Sequence, residues 1–155
     1  MSKDGGVGSV FHTNCNNKGP TVTVVRSSSG HLFGAVAANS WTSPSAHVSS
    51  PDSFLFCLDC AGERDTPRKL AQLPGKTNAM YDVGSYGPTF GPGHDLYIAN
   101  APGKTATSAS NLGATFECPS SIGVYGSAEC QAYIAGYRYF VVSDYAVYVI
   151  TATTD

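Results

Sequence analysis

The run Thr21-Val-Thr-Val-Val-Arg26 constrains the fold more than any other stretch of this chain. Its β-branched residues are stiff at χ1 and pack well on a pleated, half-buried surface, so the run predicts a strand. Ser27-Ser-Ser-Gly30 follows as a turn, and His31-Leu-Phe-Gly-Ala-Val-Ala-Ala38 predicts a second strand. Two strand-like runs joined by a short Gly-ended loop make a hairpin. Gly34 falls in mid-strand, where a missing side chain marks a close approach by a neighbour. Trp41 follows as a core or sheet-edge anchor.

The rest of the chain has the composition of a β-rich globule. Charged residues are 13% of the 155, about half the usual share. Gly 17 and Pro 9 supply turns, and Tyr 9, Phe 7 and Trp 1 supply bulky apolar area. This balance excludes a coiled coil, a helical bundle and a disordered tail. Formal net charge is −2, so no basic excess exists to neutralise the phosphates of a nucleic acid. The longest apolar-leaning run, Tyr139 to Ile150, is interrupted by Ser143 and Asp144 and is too short for a membrane helix, so no membrane insertion is expected. The first six residues hold no apolar signal region and no Asn-x-Ser/Thr acceptor occurs. Five cysteines form no evident disulfide framework, which predicts reduced thiols in a cytoplasmic or nuclear setting.

Further strands are expected at Ser53-Phe-Leu-Phe-Cys-Leu-Asp59, buried on both faces, and at 78–81, 95–99, 139–142 and 146–151. Residues 1–19 read as polar and turn-rich, 42–52 as an excursion loop, 60–74 as an irregular edge and 100–112 as a mobile loop. One short helix is expected within 127–135. No repeat or linker interrupts residues 1–155, which predicts one domain. Phe33, Trp41, Phe54, Phe56, Phe90 and Val147 are the expected core of a two-sheet sandwich.

No motif carries chemistry by itself. Cys57-x-x-Cys60 lacks the second pair of a zinc ribbon and the helix start of a thioredoxin-type site. It reads as a buried hydrophobe, Cys57, beside a more accessible loop thiol, Cys60. His12-x-x-Cys15 has no partner pair, so no metal is implied. His94 and Asp95 are adjacent and diverge in a strand, and no Gly-x-Ser-x-Gly elbow is present. The glycines of 87–93 lack the Gly-Lys-Ser/Thr of a phosphate-binding loop. Cys15 has Lys18 and His12 nearby in sequence and is the one candidate for a reactive thiol.

Residues 87–98, Gly-Pro-Thr-Phe-Gly-Pro-Gly-His-Asp-Leu-Tyr-Ile, form a corner that feeds a strand. Gly87, Pro88, Phe90, Gly91, His94, Asp95 and Leu96 in this order resemble the signature of the TLDc family. Four further blocks extend the resemblance: Ser2-Lys3-Asp4-Gly5; Phe11-His12 through Cys15 and Lys18-Gly19-Pro20-Thr21; Gly30 to Ala35 with Trp41; and Asp52 with Phe54-Leu55-Phe56. Residues 127–140 resemble the approach to the family's last strand. Two departures stand out. The chain has almost nothing in place of the family's usual N-terminal helix and first strand, and Ala146 replaces a second acid after Asp144.

The resemblance implies a sandwich of two antiparallel sheets with a few short edge helices. It implies a cytoplasmic, non-enzymatic interaction domain with no cofactor, linked to oxidative-stress resistance. It also implies a protein partner among the peripheral-sector subunits of the vacuolar proton-pumping ATPase, with Asp144 as an interaction candidate. Two other readings stand beside it. One is an enzyme whose Cys/His site is assembled from distant residues. The other is a small-ligand or sugar-binding sandwich that uses exposed tyrosines.

Overall fold

A computed structural model describes residues 7–100 and 103–153. The first element is a helix, α1 (Gly8–Cys15). The first hairpin follows as β1 (Thr21–Ser27) and β2 (Leu32–Ala37), then β3 (Ala46–Val48), β4 (Phe54–Asp59) and β5 (Arg68–Leu70). The chain continues through β6 (Met80–Asp82), β7 (Thr89–Phe90), β8 (Leu96–Tyr97) and β9 (Ser108–Ser110). It closes with α2 (Ala128–Ala132), β10 (Tyr139–Phe140) and β11 (Val142–Val149). These strands form two antiparallel sheets, in the orders β11-β1-β2-β4-β5 and β10-β9-β8-β7-β6-β3. The protein is therefore mainly β, a sandwich of two sheets with two short helices among the described residues.

The hairpin forms where the β-branched run places it. Val25 pairs with Phe33 and Thr23 with Ala35. Gly30, at φ +92°, takes the left-handed conformation of the turn, and its N–H donates to Ser27 O. Gly34 faces Phe56 across the β2–β4 register. A Cβ there would run into the Thr23 carbonyl and stand 2.6 Å from Phe56 Cζ, which is the close approach its place in the strand predicts.

Side chains from both sheets fill the core. Phe33 meets Phe140 edge to face at 5.5 Å. Trp41 is fully buried, lies 5.1 Å from Phe11 and 5.6 Å from Phe90, and its indole N–H donates to Thr21 Oγ1. Burying side chains of this size contributes about 1.5–3 kcal/mol each.

Several expectations need correction. β4 is not buried on both faces: Leu55 and Cys57 point inward, while Phe54 and Phe56 are half-exposed on the outer face. The continuous apolar run hid the period of two, so the core assignment fell one residue out of phase. Val147 is half-buried and packs against the rim of the core rather than inside it. Within the stretch read as polar and turn-rich, residues 8–15 form α1. Its N-cap residue, Val7, makes no side-chain cap bond; instead Gly8 N donates to Asn100 Oδ1 at 2.9 Å, and Phe11 and His12 pack on the Trp41 region, contacts that local propensity cannot reveal. Residues 108–110, read as loop, form β9, with Ser108 and Ser110 buried.

The cysteines are corrected most sharply. Cys57 and Cys60 form one disulfide and Cys118 and Cys130 another, with Cα–Cα separations of 5.5 and 5.8 Å. Cys60 is as buried as Cys57, so the expected difference in accessibility is absent. The Cys118–Cys130 partners are brought together by the turn that leads into α2, a pairing that spacing alone cannot specify.

Candidate functional site

The corner at 87–98 is built from close backbone approaches. A Cβ on Gly87 would stand 2.6 Å from Ile98 O. Ile98 N donates to Pro88 O, and Gly91 N to Ala79 O, so the corner is stitched to both its neighbours. Gly91 has φ +80°, and a Cβ on it would clash with the Asp95 carboxylate. His94 also takes a positive φ, 54°, a strained conformation for a residue with a side chain.

Asp95 is the polar centre of this corner. It is fully buried, and its Oδ2 accepts from the backbone N–H groups of Thr115 and Phe116 at 2.9 and 3.0 Å. Its Oδ1 has no hydrogen-bond partner among the described residues. Burial pushes its pKa up to about 6, against the pull of those two N–H donors. The carboxylate thus ties the signature strand to residues 115–116. Beside it lies an open cleft of about 610 Å³, with Lys76, Asn78, Gly93, Thr115 and Tyr125 in its walls.

The outer face of the same sheet carries a ring cluster. His94 lies 5.2 Å from Tyr97 and 5.3 Å from Tyr81, Tyr86 packs on Tyr81 and Tyr97, and His47 adds to Tyr81 at 4.7 Å. Burial, reinforced by His47, lowers the His94 pKa and holds its ring neutral near pH 7. Of this cluster, the sequence reading singled out only His94. The alternation Leu96-in, Tyr97-out was the signal that could have added Tyr97.

The remaining sequence candidates scatter. Gly34, Phe54 and Phe56 lie in the other sheet, and Trp41 lies between the two. Asp144 is exposed on β11 opposite Arg26. Cys15 is buried, and burial raises its thiol pKa, so it is not the low-pKa exposed thiolate its sequence neighbours suggested.

One constellation resembles hydrolase machinery and fails on geometry. Ser43 Oγ lies 3.0 Å from His12 Nδ1, and Asp82 Oδ1 lies 3.7 Å from the same nitrogen. A nucleophile–base–acid relay needs serine and carboxylate on opposite ring nitrogens. Here His12 Nε2 is taken by the Tyr86 carbonyl at 3.1 Å, and Asp82 accepts from the N–H groups of Thr42 and Ser43. The trio anchors α1 and the 41–45 segment to β6. Among the described residues, no group of three His, Cys, Asp or Glu side chains is placed to hold a metal ion, and no helix is long and apolar enough to cross a membrane.

Two antiparallel sheets with a Gly-Pro corner locked by one buried aspartate define the class: a β-sandwich domain. The TLDc domain family model matches residues 1–144, and the chain belongs to that family. No curated protein is significantly similar to it.

Proposed function

We propose that this chain is a non-enzymatic protein-interaction domain linked to oxidative-stress resistance, acting through a partner protein. The family match over residues 1–144 carries the link to oxidative stress. The state of the sulfurs supports an indirect effect. Direct peroxide chemistry needs an accessible thiolate. Four of the five cysteines are paired in disulfides, and the fifth, Cys15, is buried with a raised pKa.

The partner class that goes with this reading is the peripheral sector of the vacuolar proton-pumping ATPase, with the exposed Asp144 as an interaction candidate. The matching location is the cytoplasm. The two disulfides weigh against it, because such bonds persist in oxidising compartments. Alkylation and mass measurement of protein taken from intact cells and denatured without reductant decides the point: four cysteines that escape alkylation until a reductant is added place the folded chain in an oxidising compartment.

The test is capture from lysate on the immobilised chain, scored for the pump's peripheral subunits, with peroxide consumption measured in parallel. Capture of those subunits with peroxide turnover no faster than a free-thiol control is the expected result. Turnover well above that control would overturn the non-enzymatic reading.

A further inference from the structure

We propose that a slot on the outer face of the six-stranded sheet, walled by Tyr97 and Tyr139, binds one pyranose ring bearing a carboxylate, as found in an acidic glycan. The slot is a product of strand register. Tyr97 on β8 and Tyr139 on β10 both pair with Ala109 on the strand between them, β9. Residues paired across antiparallel strands point to the same face. Their chain neighbours Leu96, Ser108, Ser110 and Phe140 are buried, so the face holding the two tyrosines and the alanine is the outer one.

Strands lie about 4.8 Å apart, so two rings separated by one strand stand roughly 10 Å apart. A ring between them needs about 3.5–4 Å to each wall. The single methyl of Ala109 leaves that space open as a pocket of about 220 Å³, which also reaches Thr107 and Asn111.

The polar character of the slot selects the ligand. Arg138 lies in its lining with the guanidinium carbon 5.2 Å from the Tyr139 ring centre. The ion pairs among the described residues are made by His12, Arg64 and Arg68, and leave Arg138 out. Its planar fork suits a carboxylate bound at two points. The Asn111 amide is committed to Gly93 O and Gln131, so it shapes the end of the slot. His94, with its positive φ, closes the Tyr97 side and presents a neutral ring to sugar hydroxyls. Tyrosine faces take the C–H side of a pyranose while their hydroxyls stay in water. Among the described residues that line the slot none is acidic, so an anionic sugar meets donors and aromatic faces there.

The test is titration of the intact 155-residue chain, followed by amide NMR, with a galacturonic acid trisaccharide, a glucose trisaccharide and phosphotyrosine. Saturable shifts at Thr107, Ala109 and Tyr139 with the uronide, and binding at least tenfold weaker for the glucose oligomer, are expected. Tyr139→Ala, at an exposed position, should weaken uronide binding at least tenfold with an unchanged melting temperature. Ala109→Leu, which fills the slot, should abolish binding. Arg138→Gln should erase the preference for the uronide over the neutral sugar. Absence of saturable shifts with the uronide, wild-type binding by Tyr139→Ala, or saturable binding of phosphotyrosine without the uronide would each overturn the proposal. None of these outcomes bears on capture of a protein partner.

Discussion

The two sheets share a core but are built on different scales. In the five-stranded sheet, β1, β2, β4 and β11 each run six to eight residues, and their pairing shifts register only near one end, at Arg26/Ser27 against β11 and at Leu32/Phe33 against β4. In the six-stranded sheet, every strand is two or three residues long. A long strand gains from many cross-strand pairs and is specified by its own alternation. A two-residue strand gains too little to stand alone and is held by what surrounds it. Around the six-stranded sheet this means the Asp95 bonds to residues 115–116, the stitched corner and the Cys118–Cys130 link. One sheet is therefore sensitive to packing along its strands, the other to its fastenings.

The largest effect should come from the inward face of β4. Leu55→Ala removes a fully buried side chain and should cost about 3–4 kcal/mol, while Phe56→Ala, on the outer face, should cost about 1 kcal/mol. Denaturant melts of the two variants check this, and equal losses would break the assignment of faces. The next effect belongs to the other sheet. Replacing Cys118 and Cys130 together by alanine opens a loop of 12 residues and should cost about 3 kcal/mol. Hydrogen exchange should then rise first in β9 and β10. Exchange rising first in β1 and β2 instead would contradict the fastening argument.

Gly34→Val should cost about 2 kcal/mol, because its side chain is driven into the Thr23 carbonyl and Phe56. A thermal melt unchanged from wild type would refute the close approach. The smallest effect is a pH slope. The Asp95 carboxyl holds its proton more tightly in the folded protein, with a pKa of about 6 against 3.8 unfolded. The folded state binds more protons between those values, so this group's contribution is fully favourable below about pH 4 and is lost as pH rises through 6. From pH 5 to pH 7 the loss is on the order of 1 kcal/mol. Asp95→Asn cannot titrate and should flatten that part of the profile, measured as melting temperature against pH. A slope identical to wild type would assign it to other groups.

The same division governs what was legible beforehand. The β1–β2 hairpin was readable because alternation, a glycine turn and a mid-strand glycine all lie within 17 residues, 21–37. The signature corner was readable as a corner, since its glycines and prolines act locally. The function of Asp95 was not, because its partners lie 20 and 21 residues away. Cys15 was misjudged for the same reason: its sequence neighbours suggested an electropositive setting, while the fold buries the thiol and raises its pKa. The tyrosine slot needed three strands brought into register, and no window of sequence contains that alignment.

By itself the sequence determined the β-rich class, the two-sheet sandwich, the first hairpin and the family. These depend on turn chemistry, side-chain stiffness and short-range order, which act between neighbours in the chain. Tertiary structure alone decided which face of β4 turns inward, that residues 8–15 form a helix, that four cysteines pair, and that Tyr97 and Tyr139 stand on either side of Ala109 on one sheet face. Each of these is settled by contact between segments far apart in sequence. There burial and register outweigh local preference, because a single buried side chain is worth more than the propensity differences of several residues.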